Sequence, residues 1–335
     1  MVPAFPPPIL YNIRVIKIGS RNISTNVFLA PLSGVSDVSF RLISREHGAK
    51  FCFFEMADSN SIIHSRPDVP GLFRTAENDA PIAAQILGSD PDKMLDAALK
   101  IMAGISFEFL DINAACPAKK VIKKKAGAFF LKNPQALFRI IEKLSVSLPI
   151  PVTVKLRLGY SSVDPKELEY MAKGCESSGA SAIFLHGRTR EQGYRGDIDY
   201  ASIKLLKDSV KIPVFGSGNV LTPELAKKML HETGCDGILV ARGAFGNPWI
   251  FQDIEDYLNK GAYSGKPDLP GIKDVLKKHI TYMEKLKESE TYNEIGVMRK
   301  VAMWYMKGLA EAASLRVRIC AAKNYNEILD LIDSL

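Results

Sequence analysis

Eight short apolar runs, each followed by a longer amphipathic stretch, fill residues 27 to 242 and constrain the fold of this chain more than any other feature. The runs are VFLA (27–30), FCFFE (51–55), PIAAQIL (81–87), FEFLDI (107–112), PVTVKLRL (151–158), SAIFLH (181–186), IPVFGSG (212–218) and DGILVAR (236–242). Runs of this length read as buried strands. The stretches between them carry helix-start signals: Ser36 before DVSFRLISREHG, then Asp90-Pro91, Asn133-Pro134, Asp164-Pro165 and Thr222-Pro223. A capping residue followed by Pro at the first helical position is how a helix begins after a strand-end loop. Regular alternation of this kind calls for parallel strands with helical crossovers. Eight units in this span match a (β/α)8 TIM barrel in count and size, whereas a doubly wound sheet would need a reversal in strand order.

Outside the repeats the pattern changes. An apolar hairpin signal with a Gly-Ser turn, IRVIKIGSRNIS, precedes the first run, and beyond about residue 245 only helical periodicity remains, in FGNPWIFQDIEDYL, IKDVLKKHITYMEKLKE, GVMRKVAMWYMKGL and NYNEILDLID. We therefore expect an N-terminal hairpin segment (1–26), a barrel (27–260) and a smaller C-terminal helical domain (261–335), linked through the Gly/Pro-rich GAYSGKPDLPG.

The chain has 335 residues, 47% hydrophobic and 24% charged, which suits a folded core and excludes a disordered chain. No stretch approaches the roughly 20 apolar residues of a membrane span, and the opening MVPAFPPPILYN lacks a basic region followed by an apolar one. The expected location is cytoplasmic, with no membrane partner. The formal net charge of +7 favours an acidic ligand. Five cysteines stand far apart without a CxxC pair, so no metal site is expected and each thiol is judged alone.

In such a barrel chemistry sits where strands end. Polar residues gather there: Ser33 and Gly34 after the first strand, Gln85 in the third, Asp111 and Asn113 ending the fourth, Lys155 and Arg157 in the fifth, His186 and Arg188 after the sixth, Ser217-Gly218-Asn219 after the seventh and Ala241-Arg242-Gly243 after the eighth. The two Gly-rich turns, with Arg242, have the makings of a barrel phosphate site. Alternatively the glycines only make tight turns.

Lys155 lies in an apolar strand, where an ammonium must meet an anion, lose its proton or form a Schiff base. An aldolase nucleophile, a partner for the N1/C2 edge of a flavin and a structural ion pair all remain open for it. His186, followed by Arg188, Thr189 and Arg190, favours an anionic ligand over simple packing. Cys116 is the one cysteine in a strand-end loop; a thiol with an ordinary pKa of about 8.5 can donate a proton at neutral pH, a depressed pKa would make it a nucleophile, and a lone cysteine can also be purely structural. Cys52, Cys175, Cys235 and Cys320 read as packing residues.

Two basic patches flank these residues. AKKVIKKKAG places Lys119, Lys120, Lys123, Lys124 and Lys125 directly after Cys116, and residues 299–323 carry Arg299, Lys300, Lys307, Arg316, Arg318 and Lys323 against Glu311 alone. Lys300, Trp304 and Lys307 are spaced to share a helical face, with Trp304 and Tyr305 reading as core. One long polyanion touching both patches, RNA foremost, would account for them.

Taken together, LAPLSGVSDVSFR, AAQILGSDP, DINAACPAKKVIKKKAGAFFLKNP, VKLRLGY, HGRTREQGYRGDIDY, GSGNV, ARGAFGNPWIF and the tail RKVAMWYMKGLAEAASLRVRI resemble the tRNA-dihydrouridine synthases over nearly the whole chain, and the bacterial B-type branch in the tail. The resemblance implies FMN at the barrel mouth, with Pro31, Leu32 and Ser33 beneath the ring, Gln85 and Lys155 on its polar edge, and Ser217, Gly218, Asn219, Ala241 and Arg242 at ribityl and phosphate. It further implies reduction by NADPH, hydride transfer to C6 of a D-loop uridine (position 17) flipped out of tRNA, and protonation of C5 by Cys116, with Asn113 and His186 orienting flavin or base. Lys119, Lys120, Lys123, Arg188, Arg299, Lys300, Lys307, Arg316 and Arg318 would contact the tRNA, and the enzyme would act as a monomer. The sequence departs from the family pattern in Ala114-Ala115, commonly Met-Gly, in Leu32-Ser33, commonly Met-Ala, and in Ser217-Gly218-Asn219, often Asn-Gly-Asp. An FMN-dependent dehydrogenase of a free pyrimidine, of the dihydroorotate type, would share barrel and flavin but leave the basic patches unused. A non-catalytic RNA binder would not need Cys116, Lys155 and His186, and a flavin-free aldolase would not need the polar rim of strands three and four.

Overall fold

The computed structural model describes residues 14–66, 69–286, 294–309 and 312–334. Residues 1–13 of the opening segment and Glu311 of the second basic patch lie outside them.

Strands β1 (Ile16–Ile18) and β2 (Arg21–Ile23) pair antiparallel as the hairpin. The eight apolar runs form β3 (Val27–Leu29), β4 (Cys52–Asp58), β5 (Ile82–Leu87), β6 (Leu110–Asn113), β7 (Val152–Arg157), β8 (Ile183–His186), β9 (Val214–Ser217) and β10 (Gly237–Val240). All are parallel and in the order of a closed ring, β3-β10-β9-β8-β7-β6-β5-β4. The amide of Leu29 reaches the carbonyl of Phe51 at 2.9 Å and completes it, so the chain is a (β/α)8 barrel with helices after it.

Barrel helices start where capping chemistry places them. Asp90, Asp164 and Thr222 each accept from a backbone amide of the following turn, and Pro sits at the first position of Pro91–Met102, Pro165–Ser177 and Pro223–Thr233. Pro134–Ser147 starts at its proline, but Asn133 makes no side-chain cap. The first helix, Val38–Glu46, corrects the sequence reading by one residue. Asp37 is its cap, accepting from the Phe40 amide at 2.8 Å, while the Ser36 hydroxyl accepts from the Leu32 amide and ties the preceding loop. The helix Tyr200–Ser209, capped by Asp199, gave no Pro signal and escaped the reading.

Below the site the barrel is solid. Phe28, Phe51, Phe53, Phe109, Phe184 and Phe215 fill its interior in ring contact, for example 4.3 Å between the centroids of Phe28 and Phe51 and 4.9 Å between Phe184 and Phe215. Ile16, Ile18 and Ile23 of the hairpin join this cluster and plug the N-terminal end. Above the aromatic layer, period-two alternation turns Gln85, Asp111, Thr153 and Lys155 inward.

Among the described residues five α-helices follow the last strand: Ile250–Lys260, Leu269–Lys285, Glu294–Tyr305, Ala312–Ala321 and Tyr325–Asp333. The last four share an apolar cluster around Leu276, Ile280, Ala302, Met306, Ile319 and Ile328. Two readings change here. The helix ends at Tyr305, so Lys307 lies in the following turn rather than on the helical face of Lys300, and Cys320, read as packing, is exposed.

Candidate active site

A cavity of about 370 Å³ opens at the C-terminal ends of the barrel strands. Pro31, Leu32, Ser33, Gln85, Asn113, Cys116, Lys155, His186, Ser217, Gly218, Asn219, Ala241 and Arg242 all line it, as do Arg157, Tyr194, Met56 and Phe245. The strands bring these residues together by register: Gln85 stands beside Asp111, Asn113 beside Lys155, Arg157 beside His186 and His186 beside Ser217.

One hydrogen-bonded chain runs across the inner wall. The Thr153 hydroxyl donates to Asp111 at 2.7 Å, the Gln85 amide donates to the other Asp111 oxygen at 2.6 Å, and Gln85 in turn accepts from Asn113 at 2.8 Å. Asn113 Oδ1 then receives the backbone amides of Ala115 and Cys116, at 3.1 and 2.9 Å. From the other side Arg157 donates to the Ala115 carbonyl at 2.8 Å and to the carbonyls of Thr189 and Gly193, both at 3.0 Å. The Cys116 backbone is thus fixed between a neutral amide network and a guanidinium, with its half-buried side chain on the cavity wall.

Charge in the cavity is cationic. Burial pulls the Lys155 ammonium down to about 8, helped by neighbouring Arg157 and opposed by Asp111. Asp111 is fully enclosed; burial pushes it up to about 6 against the hydrogen bonds of Gln85 and Thr153. Among the described residues no carboxylate stands within ion-pair distance of Lys155, although Asp111 acts on it electrostatically, and Lys155 lines the cavity. His186 is held down to about 2, first by burial and then by Lys155, Arg157, Arg188 and Arg242, so it is neutral at any working pH. Arg242 donates to Asn219 at 3.2 Å and lies 4.8 Å from the Tyr194 ring.

Of the basic residues, Lys119, Lys120 and Lys123 are exposed on the short helix Lys119–Lys123 just past Cys116, while Lys124 pairs with Asp58 at 2.8 Å. Lys307 and Arg318 are exposed and Arg316 partly so. Arg188 is only 1% exposed and donates to the Gly196 carbonyl; Arg299 donates to the Ala322 carbonyl, and Lys300 to the Gly34 carbonyl at 2.6 Å. Asp111 and Arg157 stand at the rim in the sequence without a role, although the alternation Phe109, Asp111, Asn113 puts Asp111 on the inward face. Tyr194, on an irregular loop, gave no signal.

Fold and cavity define an enzyme of the (β/α)8 class, with a thiol and a cationic edge converging at the strand ends. Residues 28–333 match the family model described as "Dihydrouridine synthase (Dus)", and the chain belongs to that family. It is 35% identical over 306 residues to a "Probable tRNA-dihydrouridine synthase" of Rickettsia conorii, covering 90% of each chain. It is 34% identical over 330 residues to "tRNA-dihydrouridine synthase B" of Vibrio cholerae, covering 95% of this chain and 98% of that one, and 34% identical over 305 residues to the enzyme of the same name from Pseudomonas aeruginosa, covering 91% and 90%. These relatives place it in the bacterial B-type branch. Among solved structures, the histamine dehydrogenase from Rhizobium sp. 4-9 superposes with a TM-score of 0.55 at 13% identity, over 82% of this chain and 51% of that one. The old yellow enzyme homologue from Zymomonas mobilis gives 0.51 at 14% identity, over 78% and 95%. At these identities the likeness concerns the barrel alone. Among the described residues no helix is long and apolar enough to cross a membrane, and no His, Cys, Asp and Glu cluster could hold a metal ion.

Proposed function

We propose that this chain reduces a uridine in the D-loop of tRNA to 5,6-dihydrouridine in the cytoplasm, acting as a monomer with FMN as cofactor and NADPH as reductant. The observation that carries the reading is the placement of the Cys116 loop, pinned by Asn113 and Arg157, on the wall of the same cavity that Lys155 and Arg242 line. The residues fit a flavin mononucleotide. Pro31, Leu32 and Ala241 offer a largely apolar wall, Lys155 a cation on the cavity lining, and the turn Ser217-Gly218-Asn219 beside Arg242 an anion site. Gly218 has a φ of +118° and a side chain there would run into Ile198, so this turn calls for glycine.

An FMN held by these residues would supply the hydride needed at C6 of the uracil ring. Cys116 gives its thiol proton to C5, so that one hydride and one proton saturate the 5,6 bond and the thiolate regains a proton from solvent. Lys155 would hold negative charge at the edge of such a flavin, Gln85 and Asn113 keep the wall polar, and neutral His186 can donate from its ring without adding charge. A uridine must leave its stack to reach this depth. Lys119, Lys120 and Lys123 on one flank and Lys307, Arg316 and Arg318 on the other would take the phosphates of the loop that carries it. The assignment to position 17 rests on the resemblance of the tail to the B-type branch. The rival reading, reduction of a free pyrimidine, gives these two flanks nothing to bind.

The test is nucleoside mass spectrometry of tRNA lacking dihydrouridine after incubation with the FMN-loaded chain and NADPH, with free uridine and orotate in parallel. Gain of about two daltons at one tRNA uridine supports the reading, since one hydride and one proton are added; reduction of orotate alone replaces it.

A further inference from the structure

The loop after β3 is gripped from two sides at a single residue. Gly34 gives its amide to the carboxylate of Glu55, a side chain only 8% exposed in the middle of β4, and its carbonyl receives the ammonium of Lys300 at 2.6 Å. Gly34 has the left-handed φ of +70°, and the turn it belongs to is closed by the amides of Val35 and Ser36 on the Leu32 carbonyl. Leu32, Ser33 and Val35 line the cavity, so whatever fixes Gly34 fixes one of its walls.

Lys300 belongs to the helix Glu294–Tyr305, and that helix makes a second contact of the same kind. Trp304 stacks on Phe245 with centroids 4.3 Å apart and planes 17° from parallel, and it meets Phe40 edge-on. Phe245 lines the cavity after β10. Next to it, Gly246 has a φ of +60°, and a Cβ there would overlap the Trp304 backbone, so helix and loop touch main chain to main chain. β3 and β10 are neighbours in the ring, which puts both contacts on one sector of the mouth.

We propose that the helix Glu294–Tyr305 is a brace for the cavity wall, and that Lys300 and Trp304 are positioning residues for the cofactor site rather than contacts for RNA phosphates. Lys300 spends its ammonium on the Gly34 carbonyl, and its Nζ lies 5.4 Å from the Trp304 ring, so the two side chains form one unit between the β3 and β10 loops. Glu55 is the opposing anchor. The helix Leu269–Lys285 holds the brace against the barrel, with Tyr282 and Lys278 both on Glu46 at 2.6 and 2.7 Å.

The flavin part of this inference rests on the proposed function, and the experiment separates the two. Hydrogen–deuterium exchange of the flavin-free chain reads residues 32–36 and 242–246 in wild type, Lys300→Met, Trp304→Leu and Lys307→Ala. We expect exchange at 32–36 to rise about tenfold in Lys300→Met, as loss of a charged hydrogen bond would produce, exchange at 242–246 to rise in Trp304→Leu, and neither to move in Lys307→Ala. In FMN titrations Lys300→Met weakens binding about as much, and Glu55→Gln with Lys300→Met falls short of the product of the single effects because both grips serve one residue. Its salt dependence of tRNA binding stays that of wild type. Unchanged exchange in Lys300→Met, with a salt slope smaller by about 0.7–0.9, overturns the brace and makes Lys300 a phosphate contact. A wild type that binds no FMN defeats the proposed function, while the exchange arm still decides the brace.

Discussion

Arg157 Nη1 lies 3.3 Å from His186 Nδ1, the two residues standing side by side in the β7–β8 register. A guanidinium only donates, so Nδ1 accepts and the neutral ring carries its proton on Nε2. The imidazole is therefore a fixed, uncharged donor at the cavity wall. Burial first, and then four neighbouring cations, make its protonation costly.

That cost sets a pH dependence. In the unfolded chain His186 titrates near 6.5, in the folded chain far below, so between these values the unfolded state binds the extra proton and stability falls as pH falls. For the flavin-free chain, His186→Gln should remove up to about 1.4 kcal/mol per pH unit from the slope between pH 4 and 6. Urea unfolding of both proteins across that range checks it; parallel slopes would mean that the ring is not kept neutral.

Cys116→Ala should retain FMN and still be bleached by NADPH, while formation of dihydrouridine in tRNA falls by about 10²–10⁴, the usual worth of a positioned general acid. Single-turnover oxidation of the reduced enzyme by tRNA measures this directly. Wild-type turnover in the mutant would remove the thiol from the mechanism.

Gln85→Leu breaks the wall chain in its middle, leaving an Asp111 oxygen and the Asn113 amide unpartnered in a buried place. Each stranded group costs about 1–3 kcal/mol. We expect the urea midpoint to fall accordingly, with Thr153→Val milder because it removes one neutral donor from an Asp111 that keeps the other. Equal midpoints for Gln85→Leu and wild type would show the network contributes nothing.

The two kinds of basic residue in the tail should part company. Replacing exposed Lys307 or Arg318 by Ala should lower the salt slope of tRNA binding by about 0.7–0.9 for each phosphate no longer neutralised, with the thermal midpoint unchanged. Arg299→Ala should instead lower stability, since Arg299 closes onto the Ala322 carbonyl and holds the helix Ala312–Ala321 to its neighbour. Salt titrations by filter binding, beside melting curves, distinguish them.

Deep in the barrel, Phe184→Ala should cost about 3–5 kcal/mol, because its ring fills space shared with Phe28, Phe53, Phe109 and Phe215. Calorimetry reads the loss, and a change under about 1 kcal/mol would mean that the aromatic layer collapses around the gap.

Strands were legible because each is a short apolar run bounded by loop residues, and all eight appear within a few residues of where the pattern puts them. Helix starts were legible where Pro follows a cap. The first helix slipped by one residue because Ser36 and Asp37 both have capping chemistry, and only the turn at Leu32 decides that Ser36 serves the loop. At the site, strand-end position was enough to gather Gln85, Asn113, Lys155 and His186 around one cavity, but not to say which cation is free. Arg188 and Lys155 look alike as basic residues in or after a strand; one donates to the Gly196 carbonyl on its own loop, the other faces the cavity without a carboxylate partner. Tyr194 and the Lys300–Gly34 contact depend on loops and on residues 266 apart, which no local pattern encodes.

Nucleoside mass spectrometry of dihydrouridine-free tRNA treated with the FMN-loaded chain and NADPH decides whether a tRNA uridine is the substrate. A gain of about two daltons, for the hydride and proton added across C5 and C6, is expected at one D-loop uridine and none on free uridine or orotate. An unmodified tRNA beside reduced orotate would contradict it, and would leave Lys119, Lys120, Lys123, Lys307 and Arg318 as exposed charge without a ligand.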